Sequence, residues 1–79
     1  MRTLIDIKPL NNYRLKCLFI DGTEKIADIK PFLDKEAFRP LADPPIFAST
    51  LYNGGYFVSW KDWEVDVSAD TLWHISAKA

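Results

Sequence analysis

Carboxylates crowd the stretch VSWKDWEVDVSADTLW, residues 58–73, and the single histidine of the chain follows it directly. Paired carboxylates can act as general acid and base, and their oxygens are ligands that calcium prefers. Asp62, Glu64 and Asp66 recur at every second position, which is the period of a β-strand, so they would line one solvent-exposed strand face. The stretch lacks the spacing of a calcium-binding loop. We therefore predict solvated carboxylates, with Asp70 in the first turn of a following helix.

Two further side chains could support catalysis, with Cys17 as a nucleophile and His74 as its general base. Cys17 alternates in phase with Leu15 and Phe19, which predicts a thiol that points into the core, where it is inert. His74 lacks the converging partners that a zinc site needs. We predict no catalytic residue, no cofactor and no metal. A small enzyme that uses Asp66 or His74 remains the third and least favoured hypothesis for function.

The tryptophans of the chain, Trp60, Trp63 and Trp73, all lie in or at the end of the same stretch. An aromatic platform for bases would need a basic patch interleaved with the rings, and the stretch has none. We predict that Trp60 and Trp73 mainly fill the core of a small domain. Tryptophan is also a frequent anchor of protein interfaces. We predict a partner contact through Trp63, with Asp66 and Trp60 beside it, and Asp66 is also placed to bond backbone amides at the start of the next helix.

The first third of the chain predicts three strands, over residues 3–8, 13–20 and 24–29. Pro9 and the asparagines after it should end the first strand. Asp21-Gly22 is a strong hairpin signal, because glycine adopts a positive φ cheaply. The three strands should form an antiparallel meander in which Arg14 and Lys16 share the solvent face.

The middle of the chain is rich in proline, which excludes a central strand there. Residues 31–38 predict one or two helical turns, and Asp43 should cap a short helix that carries Ile46 and Phe47 onto the core. Asn53-Gly54-Gly55 predicts a second hairpin, followed by a strand in which Val65 and Val67 face inward.

Residues 68–76 favour a short helix capped by Ser68, with continuation of the strand as the alternative. The predicted fold class is α+β, with a small antiparallel sheet made of the meander and the second hairpin, in a single domain over residues 1–79. No stretch is long and apolar enough to span a membrane, and one unpaired cysteine predicts a cytoplasmic protein.

The chain has a formal net charge of −1, with its basic residues scattered, so nucleic acid is an unlikely partner on its own. A nucleic-acid-associated regulatory role is the alternative, and Arg14, Lys16 and Lys25 would have to share a face to support it. The leading hypothesis is a non-enzymatic module that binds another protein, pairs with a second copy through an open sheet edge, or both.

Short motifs resemble the bacterial family of domain of unknown function 2442, over roughly Leu4 to Ile75. They are Phe19 with Asp21-Gly22, Asp28, the run Phe38 to Asp43 with Phe47, Val58-x-Trp60, and Asp66-Val67-Ser68-x-Asp70-x-Leu72-Trp73. The chain departs from the family at Trp60-Lys61-Asp62-Trp63, where a Trp-Pro-Asn-Gly-like turn is usual, and at Ala69, where proline is common.

The resemblance implies a small α+β domain with an antiparallel sheet and no catalytic motif. It also implies an accessory or antitoxin-like member of a small bacterial gene pair. Longer members of the family carry an added helix-turn-helix domain, for which these residues leave no room, so a DNA-binding role is not implied.

Overall fold

The structure, a computed structural model, describes residues 2–49, 51–60 and 65–78. Its strands are β1 (Leu4–Leu10), β2 (Arg14–Phe19), β3 (Glu24–Asp28), β4 (Leu51–Asn53), β5 (Phe57–Trp60), β6 (Val65–Ser68) and β7 (Ala77–Lys78). Its α-helices are α1 (Pro44–Ser49) and α2 (Ala69–Ile75). Three short 3-10 helices, Asn11–Tyr13, Lys30–Asp34 and Glu36–Ala42, connect them. The predicted α+β class is confirmed.

The first sheet has the strand order β1-β2-β3-β7, and neighbouring strands are antiparallel. Its first three strands are the predicted meander. Gly22 has a φ of 87°, which a residue with a side chain rarely adopts, and its N–H donates to the carbonyl of Phe19 over 2.9 Å. The fourth strand, β7, was not predicted, since two residues are too few to show an alternating pattern.

The prediction that β1 ends before Pro9 is wrong, because the strand runs on to Leu10. β1 lies at an edge of the sheet, where a residue without an N–H can sit facing away from the ladder. Ile7 points its N–H in the same outward direction, and that N–H donates to the carboxylate of Asp6 over 2.9 Å. The edge of β1 therefore offers a further strand few donors.

The proline-rich middle folds as predicted into short helical turns and not into strands. Its main anchors in the core are Leu41, at the end of a 3-10 helix, and Phe47 on α1. The carbonyl of Asp43 accepts from the N–H of Phe47 over 3.0 Å, which starts α1. The predicted helix carrying Ile46 and Phe47 is confirmed.

The second sheet has the order β4-β5-β6 and is also antiparallel. It contains the predicted hairpin at Asn53-Gly54-Gly55, where Gly55 has a φ of 86° and donates its N–H to the Asn53 side chain over 2.8 Å. Val58, Trp60, Val65 and Val67 are buried and join the core with the inner side of the first sheet.

The C-terminal helix α2 is confirmed, and the alternative of a continued strand is wrong. The hydroxyl of Ser68 accepts from the Thr71 N–H over 3.1 Å, so Ser68 is the predicted N-cap. Leu72 is buried, whereas Ile75, which was expected on the same face, is exposed in the last turn.

Candidate functional site

The outer side of the second sheet carries exposed aromatic rings beside a carboxylate. Tyr52 lies opposite Ser59, which lies opposite Asp66, and Phe57 lies opposite Ser68 one row further on. Directly opposed residues of an antiparallel pair project from the same side of the sheet. We call this surface, made of Tyr52, Phe57, Ser59, Asp66 and Ser68, the aromatic face.

The two rings of the aromatic face are large and reachable from solvent, with 44% of Tyr52 and 40% of Phe57 exposed. Asp66 is exposed as well. Strand alternation sends Val58 and Val67 inward, so the same pattern that builds the core also presents these rings outward. An apolar surface next to an acidic group has the composition of a contact surface for a protein with aliphatic and basic side chains.

The ring of Phe57 lies directly against the backbone of Gly54. A Cβ atom at Gly54 would lie 2.5 Å from two ring carbons of Phe57, closer than carbon atoms approach without repulsion. The Gly54 N–H donates to the Phe57 carbonyl over 2.8 Å, which fixes the spacing of the two backbones. The ring therefore rests on bare backbone, and its orientation depends on the absence of a side chain at Gly54.

We expect Gly54→Ala to displace the Phe57 ring and to lower the free energy of unfolding by about 0.5–1.5 kcal/mol, the usual cost of forcing a side chain away from its preferred rotamer. In a Phe57→Ala background the same substitution should cost less than about 0.5 kcal/mol, because nothing is left to collide with it. A double-mutant cycle by urea unfolding measures the difference. Equal costs in the two backgrounds would mean that the glycine serves only the turn.

The predicted interface residues end up in different environments. Asp66 lies on the aromatic face, where a partner could reach it. Trp60 is 0% exposed, and its Nε1 donates to the carbonyl of Phe47 over 3.0 Å, so it lies in the core, as predicted, and not on the aromatic face. Trp63 lies outside the described residues. The amide at the start of α2 that Asp66 was expected to bond is held by Ser68.

Tyr52 and Phe57 were not predicted as site residues. A usable signal was present, because both are out of phase with Val58 and Trp60 in strands that flank one hairpin. Large aromatic residues in the solvent phase of a strand are unusual enough to indicate a contact surface.

Of the side chains considered for catalysis, Asp66 lies on the aromatic face, whereas Cys17 and His74 lie in other elements. Cys17 is fully buried in β2, and burial raises the pKa of its thiol from about 9 to about 12, so it is protonated at neutral pH. His74 is exposed in the last turn of α2. Across residues 2–49, 51–60 and 65–78, no three histidine, cysteine, aspartate or glutamate side chains come together as a metal site.

The cation patch required by the nucleic-acid hypothesis does not form. Lys25 lies opposite Cys17 in the β2–β3 pair, so its side chain projects from the inner side of the sheet, away from Arg14 and Lys16. Its ammonium lies 4.2 Å from the ring centroid of Trp73 and donates to the Trp73 carbonyl over 2.7 Å. Lys16 is also neutralised in part, by Glu24 at 3.4 Å.

A groove of about 540 Å³ lies between the β1–β2 connection and α1, with Tyr13 and Phe47 in its lining. Asn12 and Tyr13 have φ values of 63° and 59°, a left-handed conformation that is strained for a bulky residue. Tyr13 holds this conformation with its hydroxyl, which donates to the Ala42 carbonyl, and with its ring edge against Phe47. These contacts join the β1–β2 connection to the proline-rich middle, and they explain why Tyr13 keeps a strained, left-handed backbone conformation.

Comparison with known protein families matches residues 4–78 to DUF2442, a protein of unknown function. The chain belongs to the DUF2442 family. The resemblance seen in the sequence is thereby confirmed over nearly the whole chain. No curated protein and no solved structure matched the chain.

Several of the residues that carry the DUF2442 resemblance stabilise the backbone. The carboxylates of Asp21 and Asp28 each accept from the N–H two residues later, over 2.9 and 3.0 Å, and Asp70 accepts from the Arg2 N–H over 2.8 Å. The bond at Asp21 lowers the pKa of its carboxyl. Asp21 and Asp28 of the DUF2442 chain thus stabilise turns, and Asp70 joins the start of α2 to the N-terminal residues. In the described part of the chain, no helix has the length and hydropathy to cross a bilayer.

Proposed function

We propose that this DUF2442 chain is a non-enzymatic protein-interaction module and that the aromatic face is its contact surface. The observation that carries the proposal is the pairing of two exposed rings, Tyr52 and Phe57, with the exposed carboxylate of Asp66 on one side of a sheet. Large rings contribute apolar contact area at a low cost in conformational entropy, and a carboxylate beside them selects partners by charge.

The chemistry of the aromatic face favours a basic protein partner. Asp66 attracts lysine and arginine, and the faces of Tyr52 and Phe57 attract the same cations through their π electrons. The slightly negative net charge of the chain points in the same direction. As part of this proposal, the chain is the cytoplasmic accessory or antitoxin-like member of a bacterial gene pair.

The test is quantitative capture of partners by the tagged full chain from a lysate of its native organism, at moderate salt. We expect Phe57→Ser and Asp66→Lys each to reduce the amount of the main captured protein by about tenfold or more, since each removes one feature of the aromatic face. The matched control is Glu36→Lys, the same charge reversal at an exposed carboxylate in a 3-10 helix away from the face.

Circular dichroism on each variant should show the wild-type spectrum, because all three positions are exposed. Capture that is equally strong with Phe57→Ser and Asp66→Lys would refute the aromatic face as the contact surface. Capture that Glu36→Lys weakens as much as Asp66→Lys would indicate general charge attraction instead of a specific site.

A further inference from the structure

Among the described residues, β6 is the last strand of the second sheet, and its register shows which way its backbone hydrogen-bonding groups point. The Ala69 N–H donates to the Tyr56 carbonyl over 2.8 Å, which extends the β5–β6 register by one pair. Bonded and non-bonded pairs alternate in an antiparallel ladder. Val65 and Val67 therefore bond toward β5, while the N–H and C=O of Asp66 and the N–H of Ser68 point to the other side.

The remaining sheet edges in the described chain are blocked. In β1, Pro9 has no N–H, and the N–H of Ile7 already donates to the carboxylate of Asp6. β7 is two residues long. β4 lies against the start of β1, where the Asn53 side chain donates to the Leu4 carbonyl over 3.4 Å and the Leu4 N–H donates to Gly55. In contrast, β6 pairs with β5 on one side, and its outward backbone groups meet no strand of the described residues.

The side chains of β6 define what a strand laid against it would need. On the outer side Asp66 stands in the aromatic face, so charge complementarity calls for lysine or arginine there. On the inner side Val65 and Val67 are apolar and continue the core, so an aliphatic side chain fits. A segment that alternates basic and aliphatic residues satisfies both sides at once.

We infer that β6 is an acceptor edge on which a segment of alternating basic and aliphatic residues from the protein partner adds as an antiparallel fourth strand. This inference rests on the proposed function, since it describes how the same partner meets the aromatic face. In an antiparallel pair the residue opposite Asp66 projects from the same side and exchanges both backbone hydrogen bonds with it. That residue is basic, so the basic residues of the segment supply the N–H groups that bond β6.

The direct test uses a fluorescein-labelled octapeptide of alternating arginine and valine, titrated against the full chain by fluorescence anisotropy. Two N-methylated forms carry the methyl group on every arginine amide or on every valine amide. We expect methylation at arginine to weaken binding by about tenfold or more and methylation at valine to weaken it little, because only the arginine amides face β6. A peptide of alternating glutamate and valine should bind at least about tenfold more weakly than the parent peptide.

Asp66→Lys in the protein should abolish the preference for arginine over glutamate, and Glu36→Lys should preserve it. Equal effects of the two methylations, or no binding of the arginine–valine peptide, would overturn the strand addition.

The proposed function is judged separately: if Phe57→Ser and Asp66→Lys still reduce capture of the native partner, that partner binds the aromatic face through side chains alone. If capture is unchanged in those variants, the proposed function falls as well.

Discussion

Trp60→Ala is expected to remove a large part of the free energy of unfolding of the chain at 25 °C. Replacement of a buried tryptophan by alanine costs about 3–5 kcal/mol, and a chain of this length has a total stability of roughly 4–12 kcal/mol. Trp60 is fully buried, and its ring packs against that of Phe47 with centroids 5.8 Å apart. Its loss would also leave the Phe47 carbonyl without the indole donor that it accepts from.

Urea unfolding followed by far-UV circular dichroism measures this loss. Trp60→Phe should fall between the wild type and the alanine variant, since it keeps most of the apolar volume and removes the hydrogen bond. Tyr56→Ala is the aromatic control, because 57% of Tyr56 is exposed, and it should cost less than about 1 kcal/mol. A Trp60→Ala chain as stable as Tyr56→Ala would contradict the central place of Trp60 in the core.

The second large effect is a loss of stability at alkaline pH that is caused by Cys17. Its thiol has an ordinary pKa near 9 in the unfolded chain, and burial raises the pKa to about 12 in the folded one. A group with a raised folded pKa contributes stability that is fully present below the unfolded pKa and is lost as the pH rises through the folded pKa. The loss should be about 1.4 kcal/mol per pH unit above pH 9, or about 2 kcal/mol by pH 10.5.

Lysine and tyrosine side chains titrate in part of the same range, so the thiol must be isolated by comparison. Cys17→Ser has a side chain of similar size that does not titrate below pH 12. We expect the stability difference between wild type and Cys17→Ser to be constant from pH 7 to pH 8.5 and then to change in favour of the serine variant. Parallel pH profiles up to pH 10.5 would show that Cys17 is accessible to solvent or hydroxide in the folded chain.

Much of the fold follows from local patterns that the sequence shows directly. Alternation predicted the inward face of β2, with Cys17, and that of β6, with Val65 and Val67, and the Asp21-Gly22 and Asn53-Gly54 pairs predicted both hairpins. The proline at position 44 and the serine at position 68 marked the starts of α1 and α2. These features depend on neighbours in sequence, which is why propensity and pattern suffice for them.

The features that the sequence did not predict depend on distant neighbours. Lys25 lies on the inner side of its sheet because the register with β2 places it there and because Trp73, far along the chain, supplies a π face and a carbonyl. β7 exists through backbone pairing with β3 alone, with no side-chain pattern to reveal it. For the candidate site, alternation supplies the solvent phase of Asp66, Tyr52 and Phe57, whereas their placement next to one another depends on the pairing of three strands.

The blocked edge of β1 has a consequence for which substitutions this chain tolerates. Asp6 is exposed and Pro9 is only partly buried, so a screen that scores folding stability would rate many replacements at these positions as close to neutral. Each replacement that restores a free outward N–H would nevertheless turn β1 into a template for another chain. Selection at these two positions would then act on solubility in the crowded cell, and a screen of soluble yield would detect constraints that a melting experiment does not.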